Sequence, residues 1–264
     1  MSITDIARRH HETIRTVANS AKVLTIDIER LPGTAYAFDP KTRYLPASSW
    51  ITPPRTICWA ARWYGQKRPI FEAEWIDRDR MVERSWELYD SADAVITFNG
   101  RRFDNKHLKS LWFEHGLAMP SPWKDIDLFV MAKSTFGFEF KSLDYLTKRL
   151  GRPGKELHYN MWLAQAACDG DKGAQKEMRT YNVGDIELTE WLADRMRGWM
   201  PQHPFLGTFG DEKRCNQCGS DDLVLQPNRY RAVVLDYALY RCQNCGGNVK
   251  GGWVARAANT RGVA

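Results

Sequence analysis

Four of the six cysteines form two Cys-x-x-Cys pairs in the C-terminal part of the chain, and this spacing constrains its fold more than any other feature. The pairs are Cys215 with Cys218 and Cys242 with Cys245, and glycine follows each pair. Because two thiolates at this spacing can turn toward one ion, the two pairs together supply the ligands of a tetrahedral zinc site. Four protein ligands leave no open position, so we expect one structural Zn²⁺ in this segment.

The segment that carries the cysteine pairs, residues 213–254, resembles a zinc ribbon, since the β-like run RAVVLDYALY lies between the pairs. A segment of this size buries little apolar surface, and bound metal replaces much of the missing core. Its basic and aromatic residues are of the types that grip single-stranded nucleic acid. Stabilisation of the preceding domain and docking of another protein are the alternatives, and together they have the same weight as nucleic-acid contact. These residues are Arg229, Arg231, Arg241, Lys250, Tyr230, Tyr237, Tyr240 and Trp253.

The composition is that of a globular protein, and we expect it in the cytoplasm. Of its 264 residues 43% are apolar, yet no run approaches the roughly 18 apolar residues of a membrane span and no signal region is visible. We therefore expect no membrane partner, and in a reducing compartment paired cysteines favour metal over disulfides. The lone cysteines, Cys58 and Cys168, are expected to be buried thiols. Lys and Arg number 38 against 32 Asp and Glu, a balance that permits nucleic-acid binding without requiring it.

Before the cysteine pairs, the order of apolar runs predicts an α/β domain over residues 23–200. KVLTIDIERL predicts a strand near residues 23–29, and residues 56–76 are typical of a hairpin. Further strands alternate with helices along the chain, which indicates a mixed five-stranded sheet flanked by helices. The remaining predicted segments are an amphipathic helix over residues 1–22, a linker over residues 201–212 and a flexible tail over residues 255–264.

Two acids, Asp27 and Glu29, lie near the end of the first predicted strand. Side chains two apart on a strand point to the same face. Two carboxylates on one face form half of a site for Mg²⁺ or Mn²⁺, which prefer oxygen ligands. Taken alone, the pair favours the simpler interpretation of two solvated acids at a strand end.

Two more patterns bring acids toward the same edge of the sheet. In TFNGRRFDNKHL, Asp104 falls in the first turn of a helix that follows a strand, where helix capping is the simpler explanation. Tyr181 and Asp185 lie four apart on a long predicted helix over residues 175–199, so both project from one face. Gly184 inside that helix costs up to about 1 kcal/mol relative to Ala, which predicts a close approach there.

In this order, Asp-x-Glu, Asn-x-x-x-Phe-Asp and Tyr-x-x-x-Asp resemble the DEDDy branch of the DnaQ-like 3′→5′ exonucleases, over roughly residues 23–195. The resemblance implies a ribonuclease-H-like fold. It implies an enzyme that hydrolyses terminal phosphodiesters, with single-stranded DNA or DNA 3′ ends as substrate and RNA as the alternative. It also implies two Mg²⁺ or Mn²⁺ ions held by four acids, one of them bridging, and a tyrosine that orients the attacking water. These residues are Asp27 (bridging), Glu29, Asp104, Asp185 and Tyr181.

The resemblance also implies residues that hold the substrate end. Asn99 and Phe103 would lie near the terminal nucleotide, with a core position as the alternative for Phe103. Arg30 stands where many members have Thr, which puts in doubt how the substrate end is held. Asp127, near the same sheet edge, is a candidate supporting residue, with a solvated strand end as an equal alternative.

The length of the chain leaves no room for a polymerase in addition to the nuclease. We therefore expect a free-standing nuclease, or one that acts with a replication or recombination protein. The rival interpretation is a nucleic-acid-binding or scaffold module that keeps the fold without catalysis.

Overall fold

The computed structural model describes residues 21–39, 41–154, 158–200, 213–232 and 235–256. The expected N-terminal helix, the linker over residues 201–212 and nearly all of the C-terminal tail lie outside the described residues. Within the described ranges, no helix is long and apolar enough to cross a membrane.

A mixed five-stranded sheet forms the centre of the larger domain, as the sequence predicts. The strand order is β5-β4-β1-β6-β7, in which β4 runs antiparallel to both of its neighbours and β1, β6 and β7 are parallel. A small pair, β2 with β3, lies in the proline-rich excursion after β1. The strands are β1 Val23–Leu31, β2 Thr34–Ala35, β3 Trp50–Thr52, β4 Arg55–Trp63, β5 Ile70–Ala73, β6 Ala94–Thr97 and β7 Lys124–Asp127.

Six helices flank this sheet in the described residues: α1 Glu74–Asp90, α2 Asp104–Glu114, α3 Leu128–Thr135, α4 Leu143–Arg149, α5 Met161–Cys168 and α6 Lys172–Met196. The prediction that the second hairpin strand reaches residue 76 is wrong, because α1 begins at Glu74. Asp77 interrupts α1 with extended backbone, and its carboxylate accepts a hydrogen bond from the Arg80 amide at 3.0 Å. The regular part of α1 therefore starts at an internal cap, which is where the sequence pattern becomes helical.

The two faces of the sheet bury different residues of the same strands. Leu24 and Val95 pack with α1 and α2, whereas Val23 and Ile96 pack with α3, α4 and the C-terminal half of α6. This alternation is the period-two pattern of a sheet that is covered on both faces.

A buried ion pair fastens the long helix α6 to the sheet. The guanidinium of Arg62 on β4 donates to both carboxylate oxygens of Glu190, with the shortest contact at 2.6 Å. Such a two-pronged contact fixes orientation as well as distance. It therefore sets which residues of α6 face β1.

The cysteine pairs belong to a small three-stranded sheet of order β10-β9-β8. Its strands are β8 Leu223–Arg231, β9 Leu235–Cys242 and β10 Asn248–Arg256. The sheet packs on the thiols with Val249, Leu223 and Tyr240, a core that is small for a folded unit. The side-chain amide of Gln217, in the first cysteine turn, donates to the Met200 carbonyl at 3.1 Å and so ties this unit to the larger domain.

Candidate metal centres

Three carboxylates converge between β1 and α6. Asp27 and Glu29 of β1 and Asp185 of α6 each offer an oxygen, and these oxygens all lie within 4.8 Å of one another. Ile28, between the two acids of β1, packs in the core on the other face, so the pleat of the strand turns both acids toward α6. Such an all-oxygen donor set suits Mg²⁺ or Mn²⁺, and a bound cation would offset the cost of burying Glu29 and Asp185.

The position of this cluster follows from strand length. The pairing of β1 with β6 ends at Thr25 opposite Ile96. Asp27 and Glu29 therefore lie beyond the C-terminal end of β6, where the chain leaves the sheet. This edge is where open α/β sheets place their ligands.

Asp104, the first residue of α2, lies beside the same part of β1. Its Oδ1 accepts a hydrogen bond from the Ile28 amide at 3.1 Å, and the residue is only 3% exposed. The described residues place it outside the three-carboxylate group. Burial raises the pKa of Asp104 to about 7, although the Ile28 amide opposes the shift. Helix capping alone does not account for Asp104, because its carboxylate is bonded to the strand that carries the other acids.

Asp127 organises the loop that leads to Asp104. Its two carboxylate oxygens accept hydrogen bonds from the amides of Asn99, Arg101, Phe129 and Val130 at 2.9 to 3.3 Å. At 2% exposure it is not a solvated strand end, and that alternative is wrong. Asp127 thus caps α3 and holds the loop of Asn99 at the same time.

The loop held by Asp127 has a strained backbone. Asn99 has a φ of 70°, in the left-handed region that few residues other than glycine adopt. At Gly100, an added Cβ would lie 2.4 Å from the side chain of Thr97, so only glycine fits. The loop can therefore take one path from β6 to α2.

Tyr181 lies beside the carboxylates on the face of α6 that it shares with Asp185. Tyr181, Gly184 and Asp185 line a cleft of about 750 Å³. An added Cβ on Gly184 would meet nothing within 4 Å in the described part of the chain, so no described residue makes the close approach that the sequence predicts, and this side of α6 is open to the cleft. Burial, followed by the charges of Glu29 and Asp185, raises the pKa of Tyr181 above its ordinary value. The phenol is therefore neutral and can donate a hydrogen bond.

Sequence reasoning missed Asn182, which is fully buried next to the first acid. Its Nδ2 donates to Asp27 Oδ2 at 2.7 Å and to the Asp27 carbonyl at 3.2 Å. Its Oδ1 accepts no hydrogen bond from the part of the chain that the structure describes. The available signal was a polar residue one position after Tyr181 and three before Asp185, on the side of α6 that faces the sheet.

Tyr159, in the segment before α5, is a second residue that sequence reasoning missed. Its hydroxyl donates to the Arg30 carbonyl at 2.8 Å, and its ring centroid lies 6.5 Å from that of Tyr181. Burial and the charge of Glu29 raise the pKa of Tyr159 to about 12. With 36% of its surface exposed, its ring forms part of the wall beside the carboxylates.

Of the residues expected at the substrate end, Phe103 has an exposed side chain, whereas the side chain of Arg30 is held by hydrogen bonds. Phe103 is 41% exposed, so the alternative of a core residue is wrong. Its ring centroid lies 4.8 Å from that of His107, with the two rings nearly perpendicular. The guanidinium of Arg30 donates to His107 Nε2 at 3.1 Å and to the Pro54 carbonyl at 2.9 Å. Arg30 therefore braces α2 and the loop before β4.

Comparison with known proteins supports the fold. No protein-family model matches the chain, and a search of curated proteins finds no relative. Among solved structures, it is similar to the family B DNA polymerase of the hyperthermophilic archaeon Pyrobaculum calidifontis, with a TM-score of 0.51 and 16% identity over 67% of this chain and 24% of the polymerase. The fold is ribonuclease-H-like.

The predicted fold class is therefore confirmed, and at 16% identity the likeness establishes the fold alone. The chain spans about a quarter of the length of the polymerase. It also matches RNase D of Trypanosoma brucei bound to RNA U12, with a TM-score of 0.41 and 16% identity over 73% of this chain and 61% of RNase D.

Outside the ribonuclease-H-like domain, the four paired cysteines form a second candidate metal centre. Their sulfur atoms lie within 4.8 Å of one another, with two contacts of 3.6 Å that join the pairs. Tetrahedral zinc at about 2.3 Å from each sulfur requires sulfur atoms about 3.8 Å apart, so the cluster fits Zn²⁺. The glycine after each pair has a φ of 73° or 71°, which lets both turns close on the thiols. These residues are Cys215, Cys218, Cys242, Cys245, Gly219 and Gly246.

The two lone cysteines are protonated thiols. Cys58, opposite Glu29 in the sheet, is completely buried, and burial raises its pKa well above the usual range. Cys168 is only partly buried, which differs from the expectation, and its pKa is raised to about 12 by burial and by Glu74.

Proposed function

We propose that this chain is a metal-dependent 3′→5′ exonuclease of the DEDDy type that acts on single-stranded DNA. The observation that most supports this proposal is the convergence of Asp27, Glu29 and Asp185 at the open edge of a ribonuclease-H-like sheet. Asp104, which is bonded to the amide between the two acids of β1, would be the fourth acid of the expected set. A replication or recombination protein as partner remains a prediction.

The residues would divide the work between metal binding and positioning. Asp27, Glu29 and Asp185 would hold Mg²⁺ or Mn²⁺, with Asp104 at their side. Two such ions, when bound, supply an activated water and neutralise charge at the leaving 3′ oxygen. Asn182 holds the carboxylate of Asp27 in one orientation by its 2.7 Å hydrogen bond, as residues behind metal ligands commonly do.

Tyr181 would act as a hydrogen-bond donor at the reacting phosphate. Because its raised pKa keeps the phenol neutral, it can orient a water or a phosphate oxygen but cannot serve as a base near pH 7. Its position on the wall of the cleft gives it access to a substrate there.

The surroundings of the carboxylates suit an anionic chain with exposed bases. Arg152, Lys176 and Arg179 line the cleft beside Tyr181, and such cations attract backbone phosphates. The exposed ring of Phe103 and the half-buried ring of Tyr159 are available for stacking on a terminal base.

Digestion of a labelled oligonucleotide tests this proposal. A 5′-labelled single strand incubated with Mg²⁺ or Mn²⁺ should give a descending ladder, and a 3′-labelled strand should release labelled mononucleotide at once. Chelation of the catalytic ions and Asp27→Ala should abolish both products. Glu114→Ala removes an exposed carboxylate of α2 outside the cluster and should leave the rate unchanged.

Each contrary result has a defined meaning. Binding of the oligonucleotide without cleavage under either metal would overturn the proposal in favour of a catalytically silent binding module. Faster digestion of the equivalent RNA would assign the enzyme to RNA. Cleavage of a circular single strand would show an endonuclease.

A further inference from the structure

The strands of the zinc-binding unit have two faces of different chemistry. Leu223, Tyr240, Cys242 and Val249 share the inner face, because they pack together on the thiols. Strand register then assigns the other residues. Tyr237 is three positions before Tyr240 on β9, so the two side chains point to opposite faces and Tyr237 lies on the outward face. Tyr230 is paired with Tyr237 and therefore lies on the same outward face.

The same register divides the basic residues that the sequence groups together. Lys250 pairs with Leu239, which places it on the outward face with the two tyrosines. Arg229 pairs with Ala238, on the inner face. The basic and aromatic residues that the sequence groups together therefore do not share one surface. Tyr240, for example, packs against the cysteines in the core.

The outward face is positive. Between residues 223 and 256 the chain carries five cations and one acid, Asp236. Asp236 pairs with Arg231 in register and lies 3.9 Å from Arg229, and its side chain is 12% exposed, so this acid belongs to the inner face. The strands thus present no carboxylate outward. Of these cations, register places Arg241 and Lys250 on the outward face and Arg229 and Arg231 with Asp236 on the inner face; the fifth is Arg256.

Two tyrosine rings and one ammonium group form a compact site on this face. The ring centroids of Tyr230 and Tyr237 are 6.2 Å apart. The Lys250 Nζ lies 4.3 Å from the Tyr237 centroid and 5.7 Å from that of Tyr230. Tyr230 is 50% exposed, so its ring surface is available to a ligand. The side chain of Arg241 instead donates to the Gly246 carbonyl at 2.7 Å, which commits it to the second cysteine turn.

We propose that Tyr230, Tyr237 and Lys250 bind single-stranded nucleic acid, with bases stacked on the rings and a phosphate on the ammonium group. Paired rings with an adjacent cation, and no acid on the same face among the described residues, match an anionic polymer whose bases are exposed. The role of this site in holding the strand for the exonuclease rests on the proposed function, but the binding itself does not.

The affinity of the full chain for an oligonucleotide tests this site. The parent protein carries Asp27→Asn, so that the strand survives, and is titrated without added Mg²⁺ against a fluorescent oligothymidylate of about 20 nucleotides, read by anisotropy. Changing both tyrosines to Ala should raise Kd by about 5- to 150-fold for each stacking contact that is lost. Changing both to Phe keeps the rings and should restore the parent Kd.

A charge variant tests the phosphate contact. Lys250→Gln should lower the slope of log K against log salt by about 0.7, the value for one phosphate of a single strand. Arg231→Gln removes the same charge from the inner face of the same sheet and should keep the parent slope. Zinc content and the thermal unfolding curve verify that each variant is folded.

The outcomes separate this site from the exonuclease proposal. A zinc-loaded double Ala variant with the parent Kd would overturn the site, whether or not the chain digests DNA. Ring-dependent binding by a chain that digests nothing overturns only the exonuclease. If polyglutamate, a probe for acidic proteins, binds through the rings and the oligonucleotide does not, the face belongs to a protein partner and the nucleic-acid proposal is wrong.

Discussion

Removal of the Asp127 carboxylate should destabilise the larger domain more than the loss of an ordinary helix cap. The side chain accepts hydrogen bonds from two amides of α3 and from two amides of the loop at Asn99 and Arg101. Loss of a cap costs about 0.5–2 kcal/mol. A buried amide left without an acceptor costs about 1–3 kcal/mol. Because water can replace part of the loss, we expect Asp127→Ala to cost about 3–5 kcal/mol in total.

Urea and thermal unfolding measure this cost. For a domain of this size 1 kcal/mol shifts Tm by about 2–4 °C, so the expected fall is about 6–20 °C. Asp171→Ala is the matched control, because Asp171 caps α6 through one hydrogen bond, to the Ala174 amide at 2.8 Å, and has no loop to hold. It should cost about 0.5–2 kcal/mol.

The excess of Asp127→Ala over Asp171→Ala isolates the contribution of the loop. Since that loop precedes Asp104, the folded variant should also lose about 10- to 100-fold in nuclease rate, as for other residues that support metal ligands. An unfolding cost within error of that of Asp171→Ala would refute the argument, because the loop amides would then need no acceptor.

Three further predictions concern the metal centres. Asn182→Ala should lower kcat about 10- to 100-fold and raise the Mg²⁺ concentration at half-maximal rate, because the hydrogen bond to the Asp27 carboxylate is lost. An unchanged Mg²⁺ titration would contradict this role of Asn182. In protein free of Mg²⁺, Asp104 holds a proton in the folded state up to about pH 7 but in the unfolded chain only to about pH 4. Its protonation therefore stabilises the fold most at low pH, and this stabilisation, up to about 4 kcal/mol, is lost as pH rises toward 7. The Asn side chain of Asp104→Asn does not titrate, so urea unfolding should show this loss of stability with rising pH in the wild type only. Equal pH profiles of the two proteins would rule out the role of Asp104. The double variant Cys215→Ser, Cys242→Ser should lose about one zinc per chain and the unfolding transition of the ribbon, whereas zinc-free protein with an intact ribbon would mean that the thiols hold no metal.

The sequence predicts those features of the site that depend on local geometry. The pleat of one strand places Asp27 and Glu29 on one face, and one turn of helix places Tyr181 beside Asp185. The order of strands and helices predicts the sheet that brings them together. The boundary of α1 was missed, because an isolated helical turn before the cap at Asp77 leaves no periodic signal.

The hydrogen bonds that orient the side chains of the site join residues far apart in the sequence, so no local pattern predicts them. Asn182 meets Asp27 across 155 positions of the sequence, and that contact exists only because α6 crosses β1 at one place. Tyr159 bonds the Arg30 carbonyl across 129 positions from a segment without regular structure. At Gly184 the sequence predicts a close approach, and the described residues leave an open cleft there.

The sheet topology therefore determines which residues lie together, and the buried polar contacts determine how their side chains are oriented. Parallel β1, β6 and β7 bring their C-terminal ends to one edge, which places the acids of β1, the Asn99 loop and Asp127 together whatever their side chains do. The orientation of two of the carboxylates then depends on buried hydrogen bonds, since Asn182 donates to Asp27 and the Ile28 amide donates to Asp104. Since α6 supplies Asn182 and is itself fixed by the Arg62–Glu190 pair, a substitution at Arg62 should disturb Asp27 without touching it. The geometry of the acid cluster thus depends on the ion pair that joins α6 to β4 as well as on the acids themselves.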